Sequence, residues 1–198
     1  DLIDTAKQES LDLEAENQKL IKENMDNLKK GANQTNNFGD RWLFGFDVRS
    51  KKEKLDDAKE FLTSDESRLA MKQNAQLQVE QFIKDNELTG EQARAVSQQA
   101  QSMFATISNQ DIEALVDKLG VDGATEYLDQ FAQRAAESAN AIFTAINDET
   151  KSSDENFVAG IEEYNKQMAA AIESGDTVMQ DALKGQYRDF ALLGDSID

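Results

Sequence analysis

Residues 122–147, DGATEYLDQFAQRAAESANAIFTAIN, decide the fold of this chain of 198 residues. Apolar and small side chains recur in this stretch at the spacing of one helix face over about five turns. These side chains are Tyr127, Phe131, Ala135, Ser138, Ala139, Ile142, Phe143 and Ile146. The small ones among them allow neighbouring helices to approach closely, so the stretch predicts a long, closely packed helix.

Capping signals and glycines divide the chain from residue 50 onward into further helices. Thr63–Glu66 and Ser152–Glu155 match capping boxes, and Gly120 and Gly175 stand where helices are expected to end. After Ser152, one apolar stripe is spaced 4, 3, 4 and 4 residues apart and predicts a helix with one apolar face. Its members are Phe157, Ile161, Tyr164, Met168 and Ile172.

The absence of proline from the whole sequence favours long helices, because an interior proline costs a helix about 3 kcal/mol. We therefore predict an all-α fold: an elongated multi-helix bundle of about seven helices with one short non-helical aromatic segment. Three parts are expected along the chain. Residues 1–30 form a mostly solvated helix that Gly31 ends, residues 31–49 form a linker and the aromatic segment, and residues 50–198 form the bundle.

The aromatic segment is the one place where the helical pattern is lost. Phe38 is followed by Trp42, Phe44 and Phe46, which alternate as they would on a strand or extended segment. Aromatic side chains dominate the energetics of many interfaces, so these four residues are candidates for anchoring a partner. They could equally form a local core beneath the helices, and the sequence leaves both interpretations open.

Composition argues against most catalytic chemistry. The chain has no histidine and no cysteine, which removes the common general base, the thiolate nucleophile and the usual zinc ligands. Carboxylate pairs occur throughout the helices, where acids at helix starts simply complement the dipole. We predict a protein that is not an enzyme, with no catalytic residues, cofactor or metal; a hydrolase that uses acids alone is the remaining enzymatic alternative.

Net charge narrows the choice of partners. The chain carries −18 overall, and residues 101–198 hold 19 of the 39 acidic residues but only six of the 21 basic ones. Such a surface repels phosphate backbones and anionic headgroups, so no specific nucleic-acid binding is expected. Apolar runs are too short for a transmembrane segment. The expected partners are further copies of the chain and other helical proteins.

The order of these segments resembles the internal virion (ejection) proteins of short-tailed bacteriophages. An N-terminal helix precedes an Asn- and Gln-rich linker, the aromatic segment Phe38–Phe46, a Lys-rich helix start and acidic helices rich in Ala and Gln. The resemblance implies a protein stored in the virion interior, delivered to the host cell envelope, where it forms part of an oligomeric DNA-ejection conduit. It carries over no individual functional residue.

A different class of protein fits the same helices. A cellular coiled-coil tether or adaptor, located in the cytoplasm, would also be acidic, helical and without a catalytic site. The particle mass in solution separates the two, because a conduit protein should form high-order oligomers and a tether a dimer or trimer.

Overall fold

The structure, a computed structural model, describes residues 2–33, 42–43, 46–47 and 50–194, with side chains at 12, 15–33 and 50–186. Within these residues it is an all-α multi-helix bundle, as predicted, with seven helices and one short antiparallel strand pair. The elements are α1 (Leu2–Asn33), β1 (Trp42–Leu43), β2 (Phe46–Asp47), α2 (Lys51–Leu62), α3 (Asp65–Asp85), α4 (Gly90–Ala105), α5 (Asn109–Ile146), α6 (Ser153–Glu173) and α7 (Thr177–Gly194).

The chain forms two compact units. The first unit contains Asp1–Gln81 and Asn109–Gln130, and the second contains Phe82–Ser108 and Phe131–Asp198. In the first unit α1 packs against α2, and in the second α7 packs against both α4 and α6. The bounds of these units differ from the three predicted segments, 1–30, 31–49 and 50–198. Each unit combines two ranges that are distant in sequence but in contact, whereas the prediction divided the chain at its linker.

Each unit has its own apolar core. In the first unit Leu62, Ile112, Val116 and Ala124 are fully buried. In the second, Phe131, Ala135, Ala139 and Ile142 of the face predicted from residues 122–147 are buried on α5. Ala132 and Ala136, which were not part of that prediction, are fully buried beside them. The ring of Phe104 from α4 meets the Phe131 ring edge-on, with ring centroids 6.2 Å apart. This ring contact joins α4 to α5 in the core of the second unit.

Helix ends follow the predicted local signals in most places. Ser152 and Glu155 form a reciprocal capping box at the start of α6, and Ser50 and Glu53 form another at the start of α2. Gly120, with φ of 74° and ψ of 176°, interrupts the helical geometry of α5 where a helix end was predicted. Gly175 follows α6 with φ of 66°, a value that favours glycine.

The predicted capping box at Thr63–Glu66 is wrong in its pairing. The Thr63 hydroxyl donates to the Lys59 carbonyl at 2.8 Å, so Thr63 closes α2 instead of opening α3. Ser64 takes the capping role, and its hydroxyl accepts from the Ser67 amide at 3.3 Å. Two adjacent hydroxyl residues are thus divided between the end of one helix and the start of the next.

The predicted end of the first helix is also wrong. The helix continues through Gly31 to Asn33. Gly31 lies against the ring of Phe61 from α2, and a Cβ atom at Gly31 would overlap that ring. Met25, Leu28 and Ala32 are buried. The last turns of α1 therefore belong to the first unit's core. Leu20, about two turns before Leu28, is 41% exposed, as expected for a solvated helix.

Candidate functional site

The predicted interface residues fall largely outside the described part of the chain. Trp42 pairs with Asp47, and Leu43 pairs with Phe46, in the antiparallel β1–β2 backbone ladder. Phe38 and Phe44 lie outside the described residues, as do the side chains of Trp42 and Phe46. The extended backbone at Trp42 and Phe46 fits the predicted alternation, while the choice between partner anchor and local core stays a prediction.

Helix α6 exposes part of the apolar stripe that the sequence predicted for it. Ile172 of that stripe is 59% exposed, and Val158, which was not among its predicted members, is 53% exposed. Phe157, Ile161, Tyr164 and Met168 are only half-buried, and the residues of α6 that are fully enclosed are Gly160 and Ala171. The helix is therefore packed into the second unit through its small side chains.

The exposed edge of α6 has the spacing of a coiled-coil seam. Val158, Ile161, Asn165, Met168 and Ile172 follow one another at intervals of 3, 4, 3 and 4 residues. This is the a/d pattern through which helices pair. Asn165, at the centre of the series, is exposed. We refer to these five residues as the α6 seam.

The side of α6 directed into the second unit carries a polar network instead. The Ser138 hydroxyl of α5 donates to Gln167 Oε1. Gln167 Nε2 donates to Glu163 Oε1 at 3.0 Å and to the Ser138 carbonyl at 3.4 Å. Lys166 Nζ lies 3.1 Å from the other oxygen of Glu163. These contacts fix the Glu163 carboxylate beside α5.

The same side of α6 borders a cavity of about 550 Å³ lined by residues of α5, α6 and the start of α7. At one end of the cavity Arg134 forms an ion pair with Asp176, with Nη1 and Oδ2 at 2.9 Å. The other Asp176 oxygen accepts from the Met179 amide at 2.9 Å and so caps α7. The Arg134 guanidinium lies 5.8 Å from the centroid of the Phe131 ring.

A second polar cluster lies within the first unit. Asn74 of α3 is 2% exposed, and its amide nitrogen donates to Asp129 Oδ1 of α5 at 3.2 Å. Gln78, one turn further along α3, donates to the same oxygen. Burial raises the pKa of the Asp129 carboxyl, while the hydrogen bonds from Gln78 and Asn74 and the Lys29 charge oppose that rise. Asn74 Oδ1 and Gln78 Oε1 are buried acceptors without a donor.

These features predict that Asp129→Asn stabilises the protein at neutral pH. A carboxyl whose pKa is raised by folding stabilises the fold at low pH, and this contribution is lost as the pH rises through the folded-state pKa. An amide at this position has no charge to desolvate and offers a donor to Asn74 Oδ1 or Gln78 Oε1. We expect a gain of about 1 kcal/mol in the free energy of unfolding at pH 7, shrinking toward pH 4.

Urea denaturation at pH 7 and pH 4 measures this effect. Asp122→Asn is the matched control, because it makes the same substitution at an exposed residue two turns earlier on α5. A loss of stability at pH 7 in Asp129→Asn alone would contradict the prediction. It would show that the ionised carboxylate is the better acceptor for Asn74 and Gln78.

Two further findings concern what the described residues contain. Within them, no three His, Cys, Asp or Glu side chains converge in a way that could hold a metal ion. No helix in the same part of the chain is both long enough and apolar enough to cross a membrane.

No protein-family model, no curated protein and no solved structure matches the chain.

Proposed function

We propose that this chain is a non-enzymatic structural protein that self-assembles through its helices. The observation that carries the proposal is the α6 seam. An apolar side chain that is half exposed gains stability when a partner removes it from water, by about 25 cal/mol for each Å² covered. A heptad-spaced row of such side chains is the pattern through which helices pair.

A second copy of the chain is the partner that the seam fits best. The series Val158, Ile161, Asn165, Met168, Ile172 is nearly symmetric about Asn165. Two α6 helices centred on each other therefore bring Asn165 against its counterpart in either a parallel or an antiparallel arrangement. A pair of asparagines at a central a position hydrogen bonds across the seam and fixes its register. Self-pairing thus satisfies both the apolar residues and the polar one.

An assembly larger than a dimer needs a second contact surface on each copy. The aromatic segment with Phe38, Trp42, Phe44 and Phe46 is our proposal for that surface, because aromatic residues supply much of the energy of protein interfaces. Two different contacts on one chain build closed rings or extended assemblies. This is the behaviour expected of an internal virion protein that contributes to a DNA-ejection conduit, with other helical virion proteins as further partners.

The acidic surface supports the same proposal. A wall of net negative charge repels passing DNA, so the duplex moves without binding. Storage in the virion interior and delivery to the host cell envelope follow from this role. If the protein is instead a cellular tether, it would reside in the cytoplasm and use the same α6 seam to form a simple dimer or trimer.

The test replaces the two exposed apolar residues of the seam. Val158→Glu with Ile172→Glu places like charges in the seam, and we expect it to abolish self-association at concentrations where the unmodified protein associates. Helicity and melting temperature should stay nearly unchanged, because both side chains are more than half exposed within the chain itself. Sedimentation velocity measures the mass, and circular dichroism measures the fold.

The control adds the same two charges elsewhere on the second unit. Gln98→Glu with Gln101→Glu changes two exposed residues of α4 and should leave the mass unchanged. Asn165→Val gives a second readout: it should strengthen association and broaden the distribution of oligomers, because the polar residue that fixes the register is lost. A protein that stays monomeric at all concentrations would contradict the proposal, and a dimer or trimer would favour the tether.

A further inference from the structure

The α6 seam is bordered by two rows of residues. In heptad notation Val158, Asn165 and Ile172 are a residues, and Ile161 and Met168 are d residues. Position e therefore falls on residues 155, 162 and 169 along one border, and position g falls on residues 157, 164 and 171 along the other. Side chains at e and g lie beside the seam and contact the partner helix, so their chemistry decides how two copies can fit together.

One border is charged. Glu162 and Ala169 are exposed at e positions. Lys166, one turn after Glu162, lies beside the same border, and its side chain is 77% exposed. Lys166 Nζ contacts Glu163 at 3.1 Å, and an ammonium group has three hydrogens, so it can also bind a carboxylate of another chain. We refer to Glu162, Lys166 and Ala169 as the charged border.

The other border is aromatic. Phe157 and Tyr164 are half-buried, and Ala171 is 5% exposed. The second unit covers part of each ring, and the rest of the ring gains stability when a partner removes it from water. We refer to Phe157, Tyr164 and Ala171 as the aromatic border.

A parallel pair would bring unlike borders together, because the e residues of one helix then lie beside the g residues of the other. Glu162 would lose water to the Phe157 ring of the second copy without gaining a hydrogen-bond donor, which is unfavourable for a charged group. Asp154, exposed at the d position before the seam, would meet Asp154 of the second copy. The parallel arrangement therefore places a carboxylate against an aromatic ring at one point and against a like charge at another.

An antiparallel pair brings the two aromatic borders together. With the helices centred on Asn165, Tyr164 lies beside Tyr164 of the second copy, and Phe157 lies beside Ala171 of the second copy. A large side chain thus faces a small one, and the partner covers the rings with apolar atoms.

The charged borders of an antiparallel pair also meet, and they complement each other. Lys166 of each copy lies within reach of Glu162 of the other, which gives two equivalent ion pairs. Glu155 and Glu173 come near each other at the outer ends of the pair, where both are exposed and salt screens their repulsion. The two Asp154 residues lie at opposite ends. The antiparallel pair therefore avoids both unfavourable contacts of the parallel one.

We propose that two copies of the chain pair through the α6 seam in an antiparallel orientation, which Glu162 and Lys166 select. This orientation rests on the proposed self-assembly through the same seam. A two-fold axis then passes beside Asn165, and each copy contributes the same surface. Such a contact closes after two copies, so any larger assembly has to grow through a different surface.

Cysteine cross-linking tests the orientation directly, because the chain has no cysteine of its own. Antiparallel pairing brings Val158 of one copy beside Ile172 of the other. It holds the two copies of residue 158 about 21 Å apart, since a helix rises about 1.5 Å per residue, whereas a disulfide needs Cα atoms within about 7 Å. With oxidised glutathione as the oxidant, we expect mixed Val158→Cys and Ile172→Cys proteins to cross-link to each other, and Val158→Cys alone to stay uncross-linked.

Asn165→Cys is the control for pairing itself, because residue 165 meets its counterpart in either orientation. If Asn165→Cys does not cross-link, the seam does not self-pair, and the proposed function fails together with the orientation. If Asn165→Cys cross-links and Val158→Cys alone does so as well, the pair is parallel. That result overturns the orientation and leaves the self-assembly standing.

Charge variants test the role of Glu162 and Lys166. Glu162→Lys and Lys166→Glu should each weaken self-association about fivefold, because each variant turns two attractive contacts into two repulsive ones. The double variant Glu162→Lys/Lys166→Glu keeps the net charge of −18 and should regain the affinity of the unmodified protein. Sedimentation equilibrium measures the affinity, and circular dichroism checks that the helices are unchanged.

Glu91→Lys, at an exposed residue of α4, makes the same change of net charge away from the seam and should not weaken association. Lower net charge by itself reduces repulsion between copies. An equal strengthening by Glu162→Lys and Glu91→Lys would therefore show that only the overall charge matters, and it would overturn the selecting role of Glu162 and Lys166.

Discussion

Phe131→Ala should lower the free energy of unfolding by about 3–5 kcal/mol, the usual cost of removing a buried aromatic ring. Phe131 is fully buried, it makes an edge-on contact with Phe104, and the Arg134 guanidinium lies 5.8 Å from the centroid of its ring. The small residues around it on α5 cannot extend into the space that the ring would leave. The expected result is a large cavity and a much lower midpoint of denaturation.

Chemical denaturation followed by circular dichroism measures this loss. Phe131→Leu should lower the free energy of unfolding distinctly less than Phe131→Ala does, because leucine keeps most of the apolar volume. Leu69→Ala is the control for an apolar truncation outside the core: Leu69 is 58% exposed, and its loss should change stability by about 0.5 kcal/mol or less. A cost below about 1 kcal/mol for Phe131→Ala would mean that the ring does not hold α4 and α5 together.

Gly31→Ala should destabilise the protein by about 1–3 kcal/mol, although helix propensity alone predicts a gain of about 1 kcal/mol. The added methyl group would overlap the Phe61 ring, so either the ring or the α1–α2 packing has to shift. The same substitution at Gly185 in α7 is the matched control. Its new Cβ would lie 3.9 Å from the nearest heavy atom, a Thr106 methyl, which is an ordinary contact.

Thermal and urea denaturation of both glycine variants should therefore give opposite signs: a loss at Gly31 and a gain of about 0.5–1 kcal/mol at Gly185. Gly31→Ala combined with Phe61→Leu should recover part of the loss, because the smaller side chain vacates the space needed by the methyl group. The double-mutant cycle isolates that coupling. Equal gains at both glycines would show that α1 and α2 do not touch at Gly31.

Gly31 also illustrates what the sequence could and could not predict. A glycine after two lysines is a common helix end, and the same reasoning correctly placed the interruption at Gly120 and the turn at Gly175. Glycine is equally the residue that permits a ring to lie against a helix. Only the position of Phe61, which is 30 residues away in sequence, decides between the two at Gly31.

The candidate sites depend on the same kind of distant contact. Helical periodicity placed Ile172 in the apolar stripe of α6 but did not include Val158. It also could not reveal that Gly160 and Ala171 would be enclosed while Val158 and Ile172 stayed exposed. The cavity depends on Arg134 reaching Asp176, and the buried amide cluster depends on Asn74 reaching Asp129. Neither pair leaves a local pattern in the sequence, because each spans more than 40 residues.

The two capping boxes bear on how quickly the chain can regain its fold. Ser50 with Glu53, and Ser152 with Glu155, fix the first residues of α2 and α6 through partners only three positions apart. Helical turns of this kind form in about a microsecond, whereas the stable packing of segments that are distant in sequence takes longer. An unfolded chain would therefore recover the starting points of these helices first, and the assembly of each core would follow.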